Sequence, residues 1–200
     1  MASIIEVLMD QLSGEPLGKI SNQLGARKRD TAKAMPEVLG LLTEALARNS
    51  SRKEGAQALS TALAKDHDGS ILDNLPDFID HFQDGPGDGI LRHVLGDKRS
   101  TVEERLSKKS SLDIGSVTNL LTMLAPLVMG FLGRSQKQEG LDANSLAGLL
   151  GAEREQARRV APKSTGLLGQ LLDADGDGDI TDDVVKIGGG LLGRLFRKKR

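Results

Sequence analysis

The chain has no cysteine, tryptophan or tyrosine, and only four phenylalanines in 200 residues. The lack of cysteine excludes a disulfide framework, a thiolate metal site and a cysteine nucleophile. With aromatics at 2%, the core has to be built from Leu, Ile, Val, Ala and Met. That favours helices packed closely through small residues over a sheet, because strands draw on aromatic and β-branched side chains. Charge of one sign is not in excess: 27 Lys and Arg stand against 28 Asp and Glu. A near-neutral chain argues against a general nucleic-acid binder. The start, Met1-Ala2-Ser3-Ile4-Ile5-Glu6, has no basic segment, and Glu6 and Asp10 interrupt its apolar stretch. It does not read as a secretory signal, and a non-secreted protein is expected.

Glycine is plentiful, at 24 residues, scattered between apolar runs in the manner of helix C-caps. Ser3…Glu6, Ser51…Glu54 and Ser100…Glu103 each fit a capping box, in which the Ser oxygen takes an orphan helix N–H and the Glu reaches back. Helices are expected at about 3–12, 16–24, 30–48 and 51–65, with Pro16 at a first helical position and Gly25 just past an end. Pro36 falls inside the third and predicts a kink or break. From His67 to Gly89 turn residues are dense, ending in Asp84-Gly85-Pro86-Gly87-Asp88-Gly89, and mark a loop with one short helix near Leu75–Phe82. Helices resume at about 90–95, 100–108, 114–132, 143–150 and 153–160, and apolar segments follow at 165–172 and 182–196.

An internal echo recurs at about 86 residues, pairing Met35 with Leu121, Val38 with Leu124, Leu42 with Val128, Leu46 with Leu132 and Arg48 with Arg134. It keeps apolar positions in helical phase and predicts two related helical units, residues 16–66 and 100–152, that pack together within a domain spanning 1–160. Residues 161–200 then form an Asp-rich loop and a basic Gly/Leu tail.

The main chemical motif is Asp173-Ala174-Asp175-Gly176-Asp177-Gly178-Asp179-Ile180-Thr181-Asp182-Asp183. Ca²⁺ wants six to eight hard oxygens in a flexible cage. Asp173, Asp175 and Asp177 stand at the first, third and fifth positions of an EF-hand-like loop, with Gly178 at the turn and Asp179 offering its carbonyl. The twelfth position, normally a bidentate Glu, is Val184, so Asp183 or Asp182 has to substitute. Asp173, Asp175, Asp177, Asp179 and Asp183 are the candidate metal ligands, for Ca²⁺; the other reading is an Asx-rich turn that caps the next helix.

The run Leu120–Gly133 is too short to span a bilayer and suits a buried central helix. Ile187–Arg200 pairs apolar residues with a basic end, as a solvated tail or a weak membrane-surface or partner contact. His67, His81 and His93 form no metal-binding pattern. No Gly-x-Ser-x-Gly elbow and no phosphate-cradling loop occur, and no organic cofactor is expected. Arg27-Lys28-Arg29 and Lys108-Lys109 read as surface charge, or as part of a helix-turn-helix over 25–48.

Several short motifs occur in a particular order: Asn22-Gln23-Leu24-Gly25, Leu46-Ala47-Arg48-Asn49, Glu54-Gly55-Ala56-Gln57-Ala58-Leu59, His67-Asp68-Gly69-Ser70-Ile71-Leu72-Asp73, Gly89-Ile90-Leu91-Arg92-His93-Val94-Leu95-Gly96 and Leu124-Ala125-Pro126-Leu127-Val128-Met129-Gly130. In this order they resemble the YidB-like family of uncharacterised bacterial proteins. The resemblance implies an all-helical cytoplasmic protein and carries no catalytic residue. The expectation is therefore an all-α, compact multi-helix bundle. It is expected to be a non-enzymatic structural or interaction protein whose partner is itself or another protein. A calcium-responsive module and a DNA-associated regulator are the alternatives.

Overall fold

The computed structural model describes residues 3–160. Within them every regular element is helical: α1 (Ile4–Gln11), α2 (Glu15–Gln23), α3 (Lys28–Asn49), α4 (Lys53–Asp66), α5 (Leu75–Asp80), α6 (Gly87–Leu95), α7 (Arg99–Lys109), α8 (Ile114–Glu139) and α9 (Ala143–Val160). Short 3-10 turns at Ser70–Asn74, Phe82–Asp84 and Gly96–Lys98 join the middle helices. The Asp173–Asp183 loop, the apolar segments beside it and the basic tail lie outside the described residues.

α1 begins with the expected capping box: the Glu6 N–H donates to Ser3 Oγ (3.1 Å) and the Ser3 N–H to Glu6 Oε2 (2.9 Å). The other two boxes do not form. α4 starts two residues after Ser51, whose hydroxyl instead donates to the Arg48 carbonyl at 2.7 Å. Ser100 lies inside α7, and Glu103 pairs with Arg99 at 2.9 Å. Asp113 caps α8 by accepting from the Ser116 N–H (2.9 Å) and hydroxyl (2.9 Å). Those donors stabilise its charged form and hold its carboxyl below the ordinary value.

The core sits around α3 and α8. Val117, Leu120, Leu121, Leu124, Leu127, Val128 and Leu132 of α8 are buried, and α3 contributes Met35, Val38, Leu39, Leu41 and Leu42. α3 packs on α8 and α9, while α8 packs on α3, α4, α6 and α7. Each long helix thus leans on the helix that follows the other. α3 runs unbroken through Pro36, against the expected break, and α8 runs through Pro126. A proline inside a helix costs one backbone bond, and the buried residues flanking both prolines offset that loss through packing. Lacking an N–H, Pro126 leaves the Thr122 carbonyl without its helical donor. Gly87, the first residue of α6, packs against that carbonyl so closely that a Cβ would lie 2.0 Å from it.

The segment expected to be a loop is more helical than its turn residues suggest. α6 starts three residues earlier than expected, inside the Gly-Pro-Gly run, and α9 continues through Gly151 where two helices were expected. Between α4 and α5 the chain is held by a clasp. Asp68 Oδ1 accepts from the Ser70 N–H (3.0 Å), and Gly69 takes φ +92°. One Arg134 guanidinium nitrogen donates to the Gly69 carbonyl (2.5 Å) and to Asp73 Oδ1 (2.6 Å). Gly130 and Gly133 let α8 reach this turn: a Cβ on Gly133 would lie 1.6 Å from the His67 carbonyl oxygen.

Candidate functional site

Beyond the core, the C-terminal end of α3, with α4, α6 and α9, leaves a groove of about 1510 Å³. Its shape follows from α4. Gly55, Ala58, Leu59, Ala62 and Asp66 recur at helical spacing and line the groove along one face of that helix, while Ala56 and Leu63 point into the core. Small residues at Ala58 and Ala62 leave the opening wide, whereas Gly55 lets α4 approach the end of α3, since a Cβ there would lie 1.8 Å from the Asn49 carbonyl oxygen. Leu46, Leu59, Ile90, Val94 and Met129 form an apolar floor, and Arg48, Arg52 and Arg154 stand around it with Glu54 and Asp66 on the α4 side. Asn49 Nδ2 donates to the Val94 carbonyl at 3.2 Å and so ties the end of α3 to α6. The Nε atom of Arg154 is buried without an acceptor among the described residues.

Two of the three histidines that stand apart in the sequence, His67 and His93, line this one groove. Burial pushes the His67 imidazole below its ordinary value, against the opposing pull of Asp66. His93 Nδ1 lies 2.9 Å from the Gly89 carbonyl one turn earlier in α6, so that nitrogen is occupied. Among the described residues no group of three or more His, Asp or Glu could hold a metal ion. The five candidate ligands Asp173, Asp175, Asp177, Asp179 and Asp183 lie outside the described residues. The groove was not legible in the sequence, because its walls come from positions about 40 to 100 residues apart.

Several of the other singled-out residues have structural partners. Arg27 Nε donates to Asp30 Oδ2 at 2.6 Å, and the Lys28 side chain lies over Gly18, 3.2 Å from where a Cβ would be. The Ser116 hydroxyl, whose one hydrogen is shared between Asp113 and the Leu24 carbonyl (2.9 Å), ties the first family-like motif to the start of α8. The His67–Asp73 motif is the turn gripped by Arg134. α8 is long and apolar enough to cross a membrane, but 67% of its most apolar stretch is buried inside the fold. α9 reaches α1 through Glu153, whose Oε2 accepts from the Ile4 N–H at 3.0 Å. Burial lifts that carboxyl above its ordinary value, as does the nearby Glu6.

Comparison with known proteins gives one family. The model of the family described as bacterial protein of unknown function (DUF937) matches residues 6–135, which takes in every helix from α2 to α7 and most of α1 and α8. No curated protein and no solved structure matches the chain.

Proposed function

The chain belongs to the DUF937 family of bacterial proteins of unknown function, with which the YidB-like resemblance is consistent, and we propose that it is a non-enzymatic interaction protein that takes up a polypeptide segment in the groove beside α4. The observation that carries this reading is the groove's make-up: an apolar floor of Leu46, Leu59, Ile90, Val94 and Met129 under Arg48, Arg52 and Arg154. A concave apolar surface with a few polar groups at its edge suits a docked helix or strand. Arginine is the side chain best suited to fix such a segment through its acids.

Self-association is the form of interaction we propose. The small-residue helices that suggest it in the sequence are interior, and Ile114, 50% exposed, is the large apolar side chain that the described residues present to solvent. Association is therefore assigned to the groove rather than to a bare apolar face. Light scattering on the full chain over a concentration series, beside Ala58→Arg, tests it. Ala58 is exposed and lines the groove, so the variant fills the groove without touching the core.

A related pair of halves is part of the same reading. What supports it is that α3 and α8 start in step with the echo, at Lys28 and Ile114, and that α3 packs on α9 as α8 packs on α4. The calcium reading rests on the spacing of Asp173, Asp175 and Asp177. Titration calorimetry with Ca²⁺ tests it: heat is expected for the wild type and none for Asp175→Ala, and no heat from either protein removes it.

A further inference from the structure

The groove offers an apolar floor with arginines beside it, and the sequence holds a segment with the matching order of chemistry. Residues 166–172 read Gly166-Leu167-Leu168-Gly169-Gln170-Leu171-Leu172, and six aspartates follow between Asp173 and Asp183. No lysine or arginine occurs from Ser164 to Val185. Leu167, Leu168, Leu171 and Leu172 recur at the spacing of one helix face. The other apolar stretch near the end, Leu191–Phe196, contains Arg194 and is followed by Arg197, Lys198, Lys199 and Arg200, a poorer match to a groove whose three arginines outnumber Glu54 and Asp66.

The place of α9 beside the groove favours the same segment. Arg154 of α9 lines the groove, and the described part of α9 runs to Val160, twelve residues before Leu172. The stretch from there to Leu172 can reach about 40 Å if extended. A tether that short gives an effective concentration in the millimolar range, so even a weak contact forms within one chain. The buried Arg154 Nε, which has no acceptor among the described residues, is one group that an aspartate there would satisfy.

We propose that the occupant of the groove is the chain's own segment 165–183, with its leucines on the apolar floor and its aspartates toward Arg48, Arg52 and Arg154. This rests on the groove being an interaction site. It adds that in dilute solution the site is filled from within, so that association between copies has to displace or exchange this segment.

The absence of cysteine allows a direct test on the full chain. A nitroxide on Ala174→Cys broadens the amide signals of nuclei near it. The expected result is loss of intensity at Ala58, Ala62 and Val94 in dilute protein, with recovery when Leu168→Asp and Leu172→Asp are added. These two substitutions lie outside the packed core, and unchanged dispersion of the other signals checks that the fold is kept. Full intensity at all three groove residues in the labelled chain overturns the proposal. Broadening that appears only when the label is on a different molecule also overturns docking within one chain, but leaves the groove standing as an interaction site. Loss of the groove reading itself is seen separately, as a mass that Ala58→Arg does not change.

Discussion

Arg134 on α8 donates to the Gly69 carbonyl at 2.5 Å and closes the turn between α4 and α5 against the central helix. The contact is made possible by Gly69, which stands at φ +92° with its Cα against Arg134 and the Gly130 carbonyl. A Cβ on Gly69 would lie 2.7 Å from Arg134 Cβ and 2.9 Å from the Gly130 oxygen. Gly69→Ala therefore meets backbone strain and a clash together. It is expected to lose about 3 kcal/mol of stability or more, measured by urea unfolding. A loss near zero would mean that the clasp opens at no cost.

Gly133 and Gly148 make a paired comparison. On Gly133 a Cβ would sit 1.6 Å from the His67 carbonyl oxygen, whereas on Gly148 it would meet nothing within 4 Å. Gly133→Ala should destabilise by about 1–3 kcal/mol or more through forced separation of α8 from the turn. Gly148→Ala, in the interior of α9, should stabilise by about 0.5–1 kcal/mol through a lower backbone entropy cost. Thermal unfolding of the two variants beside the wild type checks both signs.

Glu153 gives a pH dependence with a definite sign. Its carboxyl is raised above the ordinary value by burial, and by the nearby Glu6, against the bond from the Ile4 N–H. A folded-state pKa above the unfolded one contributes stability that is fully present below the unfolded value and is lost as pH rises through the folded value. Glu153→Gln keeps an acceptor for Ile4 and removes the titration. The wild type should therefore lose melting temperature relative to this variant as pH rises from below the ordinary glutamate value through the raised folded-state value. A difference that stays constant across that range would contradict the assignment.

Most helices were legible because their apolar positions repeat with helical phase, and Gly25, at φ +62°, ends α2 as its position suggests. The errors have tertiary causes. Ser51 and Ser100 have the right spacing to Glu54 and Glu103, but the packed chain turns more tightly at Arg48 and starts α7 earlier, so the Ser51 hydroxyl and the Glu103 carboxylate find other partners. Pro36 and Gly151 weaken a helix locally, yet both helices continue because their neighbours are held by α8 and by α3 and α4. Arg134 is paired with Arg48 in the sequence echo, but nothing there shows that one grips a turn while the other lines a groove. The groove depends on which helices meet, and that information is long-range.

Light scattering on the full chain across a concentration series, for the wild type and Ala58→Arg side by side, decides whether the groove beside α4 is where this protein associates. The account predicts a wild-type mass that rises with concentration and a variant that stays at the mass of one chain with an unchanged helical spectrum. Equal masses for the two proteins at every concentration would contradict it.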